Sequence, residues 1–186
     1  MKKYIVLLLI LSTGFIACDK EDDTQLNSGE VKFTQAYLSN LGYTPCLGCD
    51  IITYDFQLSL LGSGITVNNA ETSGNGPLLR LDFYSETEGT PKAGIYKDFG
   101  NKVVPYNLTW GFYTTTELGT IDINEIGYRL DIPKSTLILS YNGPLMIVDY
   151  DIHLIAVSGL GSAEGSTLNI KGKWDGETTV IRDELF

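Results

Sequence analysis

The sequence predicts an all-β protein: an antiparallel β-sandwich of about nine or ten strands, with a lipocalin-like β-barrel as the alternative. Three observations carry this prediction. Stretches in which apolar and polar residues alternate strictly recur along the chain. Short runs rich in Gly, Asn and Pro separate them. No stretch shows a convincing 3.6-residue period. Strand and loop lengths are uneven, which favours a sandwich over a regular closed barrel.

From the N-terminal side, the first predicted strand is Val31–Leu38. Ile51–Leu61 follows, with Ile52, Tyr54, Phe56, Leu58 and Leu60 on one face and Thr53, Asp55, Gln57 and Ser59 on the other. That is the pattern of a half-buried antiparallel strand. Gly62-Ser63-Gly64 and Gly74-Asn75-Gly76-Pro77 read as turns ahead of a strand at Leu78–Tyr84, and Gly94–Tyr96 is a short strand. Tyr106, Leu108, Trp110 and Phe112 alternate with Asn107, Thr109 and Gly111, which puts Trp110 on the core face. Thr120–Asn124, Tyr128–Ile132 and Thr136–Tyr141 are further strands, the last ended by Asn142-Gly143-Pro144. Met146, Val148, Tyr150, Ile152, Leu154 and Ala156 then alternate with Ile147, Asp149, Asp151, His153 and Ile155. A glycine-rich loop at 159–165 leads to Leu168, Ile170, Gly172 and Trp174, so the last two strands read as a hairpin.

Ahead of this domain the chain is organised differently. Lys2 and Lys3 precede the unbroken apolar run Tyr4–Leu11, then Ser12, Thr13 and Gly14 loosen the helix, and the small Ala17 fits a peptidase subsite just before Cys18. The apolar stretch is about 14 residues, short of the roughly 20 needed to cross a bilayer. Residues 1–17 therefore read as a removed signal peptide and Cys18 as the lipidation site. The segment resembles the signal and lipobox of bacterial lipoproteins, and departs from them at Phe15, where Leu is more common. Two or three acyl chains on Cys18, at about 0.8 kcal/mol per buried CH₂, would hold firmly where one chain is marginal.

Residues 18–29 read as a flexible acidic tether. Within it Lys20-Glu21-Asp22-Asp23 resembles the surface-export signal of lipoproteins from Bacteroidota-type bacteria. That resemblance implies an outer-membrane protein exposed at the cell surface, with a periplasm-facing leaflet as the alternative. The pattern Tyr150-x-Ile152-x-Leu154, a glycine-rich turn, then Leu168-x-Ile170-x-Gly172-x-Trp174-x-Gly176 resembles small surface lipoproteins of the same group. It implies a final hairpin closing an all-β domain, and no particular activity. Residues 30–186 read as that single domain.

Composition narrows the function classes. The leader takes two of the 13 Lys and Arg residues and none of the 23 acids, so the 169 remaining residues carry 11 basic against 23 acidic side chains, a net charge of −12. Nucleic acid is excluded as a partner, since its affinity comes largely from cationic side chains neutralising phosphates. Contact with the membrane is expected through the lipid alone. Apolar residues make up 43% of the chain, enough for a packed core.

The chemistry-bearing residues are few. Cys46-Leu47-Gly48-Cys49 is a C-x-x-C pair, and zinc would need two further ligands where the chain offers one histidine and, besides this pair, only Cys18. A thioredoxin-like role would need the pair to open a helix, whereas turn and strand surround it. The expected state is a local Cys46–Cys49 disulfide, with redox work and free thiols as alternatives. Its short ring would add little stability. Asp149, Asp151 and His153 share one strand face, an ordinary exposed ladder or an acid/base pair. Asp122-Ile123-Asn124-Glu125 and Asp175-Gly176-Glu177 offer oxygens as calcium sites do, yet neither follows the twelve-residue calcium loop. Both read as turn chemistry, with calcium as the alternative, and no other cofactor or metal is expected.

Tyrosine is the more suggestive residue. Tyr84, Tyr113, Tyr128 and Tyr141, with Tyr43, fall on outer faces or loops, where aromatic rings can stack on sugars or anchor a protein interface. The first four are the candidate ligand-binding residues. The expectation is a lipid-anchored, non-catalytic extracellular binding module for a glycan or a surface protein. A structural protein that pairs through a sheet edge is the alternative. A carboxylate-based hydrolase or a carrier of a lipophilic ligand ranks behind both.

Overall fold

The computed structural model describes residues 31–45, 50, 52–68, 71–114, 117–118, 127–157 and 165–182. Cys18, the tether, Cys46, Cys49 and the expected strand at 120–124 lie outside the described residues. Among the described residues, no helix is long and apolar enough to cross a membrane.

The fold is all-β. Its strands are β1 (Gln35–Pro45), β2 (Ile52–Leu61), β3 (Ile65–Asn68), β4 (Glu71–Asn75), β5 (Leu78–Ser85), β6 (Gly94–Lys97), β7 (Leu108–Thr114), β8 (Glu117–Leu118), β9 (Tyr128–Leu130), β10 (Thr136–Asn142), β11 (Leu145–Ala156), β12 (Thr167–Gly176) and β13 (Thr179–Arg182). Ten of them form one curled sheet in the order β13-β1-β2-β5-β7-β9-β11-β10-β6, with β12 on the other side of β11. The sheet is antiparallel except for the β1–β13 pair, which is parallel. β3, β4 and β8 form a separate small sheet. This hairpin and β13 were not expected from the sequence, because Thr-, Ser- and Asn-rich segments such as Glu71–Asn75 carry no apolar alternation.

β11 organises one half of the sheet. Its twelve residues alternate between buried and half-buried without a break. β12 runs along one edge, while β9 and β10 lie end to end along the other. Between β9 and β10 a 3-10 turn at Ile132–Lys134 interrupts the ladder. The buried Ser135 replaces the lost bonds: its hydroxyl donates to Asp131 O and accepts from His153 N, at 2.8 and 3.0 Å.

The concave side holds the main core, with Phe56 and Phe83 stacked at 6.0 Å and Tyr96 edge-on to Phe83 at 4.7 Å. Phe33 meets Tyr150 edge-on at 5.7 Å and so ties the start of the domain to β11. A second, smaller cluster of Leu61, Ile65, Leu78 and Phe112 lies apart from the main core.

Two irregularities redirect side chains. In β1 the register shifts between Asn40 and Gly42, where Gly42 takes a positive φ of 103° that an L side chain rarely adopts. In β7 the register shifts against β5: Phe83 faces Leu108 but Asp82 faces Trp110, so Thr109 is an extra residue. Side chains beyond such a bulge change face relative to simple alternation. Gly111 and Tyr113 therefore point into the main core, and Trp110 and Phe112 to the other side, where Phe112 is buried in the second cluster and Trp110 is exposed. The sequence-based placement of Trp110 on the core face is corrected accordingly: it is 40% exposed.

Candidate functional site

The outer face of β2, β5 and β7 carries a constellation that stands out from the rest of the surface. Asp55, Gln57 and Ser59 come from β2 because the even-numbered Phe56, Leu58 and Leu60 take the core. On β5 the odd-numbered Leu79, Leu81 and Phe83 are buried, which leaves Arg80, Asp82 and Tyr84 outside. The bulge adds Trp110 and Phe112. The register then sets the rows: Ser59–Arg80–Phe112, Gln57–Asp82–Trp110, and Asp55–Tyr84.

Each row has its own chemistry. Arg80 lies over the Phe112 ring, 5.4 Å from its centroid, and its Nε donates to Ser59 Oγ at 3.3 Å. Gln57 Nε2 donates to Asp82 Oδ1 at 3.0 Å, and Thr109 Oγ1 donates to the Asp82 carbonyl at 3.0 Å. Trp110 stands edge-on to Phe112 at 5.3 Å. Oδ1 of Asp55 is shut off from solvent and has no hydrogen-bond partner.

The charged groups here are half-buried, and burial displaces their pKa values. Burial, then the nearby Asp82 charge, pushes Asp55 up to about 6, against a bond from the Phe56 backbone N–H. Burial also raises Asp82, although Gln57 and Arg80 pull the other way. Arg80 is lowered by burial, partly offset by Asp82. Tyr84 is raised by burial and by both carboxylates. Two acids and one base thus share a poorly hydrated surface. Such crowding is where functional groups are usually found.

Tyr84 also lines a cleft of about 240 Å³ with Asp98, Lys102, Asn107 and Thr109. Asn107 shapes that cleft. Its side chain accepts from Phe99 N and donates to Gly100 O and Lys102 O, at 2.9, 3.0 and 2.6 Å. Aromatic face, polar rows and cleft are therefore continuous through Tyr84 and Thr109. No family model, curated protein or solved structure matches the chain.

Of the four tyrosines expected at a binding face, Tyr84 alone belongs to this constellation. Tyr113 is corrected from an outer position to the core, where it is 5% exposed, because the β7 bulge turns it inward. Tyr128 is half-buried against the core and packs on Tyr113 with ring centroids 6.3 Å apart. Tyr141 is half-buried too; its hydroxyl donates to Pro91 O at 2.6 Å, and burial pushes it up to about 12. Tyr43 is exposed and meets Tyr54 edge-on at the far end of the β1–β2 hairpin.

The Asp149, Asp151 and His153 ladder exists as the alternation placed it. Lys171 bonds Asp151 at 2.8 Å, Lys173 lies 4.0 Å from Asp149, and His153 Nε2 is 3.6 Å from Asp151. Among the described residues no three His, Cys, Asp or Glu side chains come together as metal ligands. The residues that sequence reasoning missed as a site are Asp55, Gln57, Arg80, Asp82 and Trp110. Alternation had already put Asp55 and Gln57 on a shared polar face. The signal for Trp110 was hidden by the bulge.

Proposed function

We propose that the chain is a lipid-anchored cell-envelope protein, exposed at the outer-membrane surface, that binds a glycan on the outer face of β2, β5 and β7 without a covalent step. One observation carries this reading: the exposed indole of Trp110 sits beside a half-buried row of hydrogen-bonding side chains, Gln57 and Asp82. A sugar ring has an apolar face that stacks on an aromatic ring and a rim of hydroxyls that exchange hydrogen bonds with amide and carboxylate groups. The lipid on Cys18 and the acidic run after it support the envelope address.

Sheet-edge assembly draws less support. Among the described residues β12 has β11 alone beside it in the sheet, and Lys171 and Lys173 on it are the kind of charge that discourages edge pairing. A second reading has an observation in its favour. Asp55, held near pH 6 beside Asp82, is a pair that a carboxylate hydrolase could use as acid and partner.

The test is a titration of the mature chain, in detergent micelles, with a panel of oligosaccharides, followed by mass spectrometry of the sugars. Saturable binding that Trp110→Ala weakens, with the sugars recovered intact, is expected. Shortened sugars would replace the binding reading with the hydrolase. No saturable binding to any member of the panel would overturn both.

A further inference from the structure

Charge is unevenly distributed along the candidate face. Arg80 occupies one end, held by Ser59 and stacked on Phe112. Two residues along β5, about 6–7 Å away, Asp82 faces Gln57, and Asp55 lies diagonally beyond it opposite Tyr84. The groups facing Asp55 can be named from every neighbouring strand. They are Asp82, Tyr84 and the more distant Arg80 on β5, Gln57 and Thr53 on β2, and Gly42 directly opposite on β1. None is a cation in contact with it, and its Oδ1 has no donor. A half-buried carboxylate in that state is under-compensated.

The surface beside Asp55 is open on the β1 side, while Oδ1 itself is closed to solvent. A Cβ added at Gly42 would meet no atom within 4 Å, so the β1 side of Asp55 leaves room for a ligand group. Trp110 flanks Asp82 on the opposite side. The acidic end of the face is therefore an acceptor site bordered by an aromatic ring, and a bound group there gains most by bringing positive charge. An acidic sugar would add a third negative charge to Asp55 and Asp82.

We propose that the acidic end of this face selects an amino sugar, whose ammonium group sits by Asp55 and Asp82 while Trp110 packs against a ring. This rests on the reading that the face binds a glycan, and it names the class. Protonation of Asp55 as pH falls through about 6 would remove half of the site's negative charge, so selectivity should fade with it.

The experiment compares the mature chain in detergent micelles binding a β-1,4-linked glucosamine hexamer and its fully N-acetylated counterpart, by calorimetry at pH 7 and pH 4.5. The free-amine hexamer is expected to bind about tenfold tighter at pH 7, and the preference to shrink at pH 4.5. Asp55→Asn should abolish the preference, so that the two hexamers bind alike, with its melting curve as the folding control. Equal affinities at pH 7, or a preference that persists in Asp55→Asn, overturn the amino-sugar assignment and leave the glycan reading standing. Failure of the free-amine hexamer to bind overturns the assignment, and the glycan reading falls with it only if the whole oligosaccharide panel fails as well.

Discussion

Two outer faces of the same curled sheet use charge in opposite ways. On β11 and β12 the acids Asp149 and Asp151 stand across from Lys173 and Lys171, whose side chains are 57% and 73% exposed. On β2 and β5 the acids Asp55 and Asp82 stand near one another, half-buried, with Arg80 displaced toward Phe112. The same residue type responds in opposite directions. The bond from Lys171 holds Asp151 below the usual carboxylate range, whereas burial and Asp82 lift Asp55 above it. On the first face each acid has a lysine across from it, so its charge is matched even though Asp151 Oδ1 is itself enclosed without a hydrogen-bond partner. A face whose charges are unmatched and poorly hydrated has a use for a ligand.

The contrast depends on Trp110 pointing outward, so the largest expected effect tests the bulge. If Gly111 faces the core, Gly111→Val is severe, because its Cβ would lie 2.6 Å from Arg80 O and 2.8 Å from Leu81 Cδ2. A loss of about 3 kcal/mol in urea unfolding is expected from such overpacking. Under simple alternation Gly111 would lie on the surface, and a β-branched residue there would change stability by less than about 0.5 kcal/mol. That second result would return Trp110 to the core and remove the site.

Next comes the separation of packing from binding. Tyr113→Ala should lower stability by about 3 kcal/mol, as truncation of a buried aromatic does. Trp110→Ala should leave the melting midpoint almost unchanged and weaken sugar binding about tenfold, which is about 1.4 kcal/mol. The reverse assignment, with Trp110 stabilising and Tyr113 binding, would break the comparison between the two faces.

These two residues also mark where sequence reasoning stops. Along β11 the period of two is uninterrupted, so inward and outward residues could be assigned in advance, and the 149–153 ladder emerged as written. On β2 alternation placed Asp55 and Gln57 on one polar face, half of the present site. β7 has the same apparent pattern, but one extra residue at Thr109 reverses it. Nothing local announces that reversal. It comes from the partner strand, where Phe83 pairs with Leu108 and Asp82 with Trp110. Joining β2, β5 and β7 into one face is likewise a consequence of register between segments up to about sixty residues apart.

A smaller effect sharpens the electrostatic half of the contrast. The native state favours protonated Asp55, since its value near 6 lies above the 3.8 of a free aspartate. The native chain therefore binds more protons than the unfolded chain between about pH 4 and 6. Stability from this group is present below that window and is lost as pH rises through it. Asp55→Asn should stabilise the fold by about 1 kcal/mol at pH 7, less than the full shift implies because the carboxylate is partly hydrated. Its advantage over the native chain should shrink toward zero at pH 4, as read from urea midpoints across that range. A destabilising Asp55→Asn would mean that Asp55 already has a partner, as Asp151 has, and the two faces would then be alike.

The smallest effect belongs to the matched face. Asp151 is depressed by Lys171, so its contribution is present above the free-aspartate value and is lost as pH falls through the lower native one. The pair is nevertheless in water, and Lys171→Ala should cost no more than about 0.5 kcal/mol. In 1 M salt, where screening acts within about 3 Å, even that difference should vanish. A loss above about 1.5 kcal/mol that survives salt would show a buried, organised network on β11 and β12. The polar ladder would then rank beside the Trp110 face as a site, because matched charge in solvent cannot hold that much free energy.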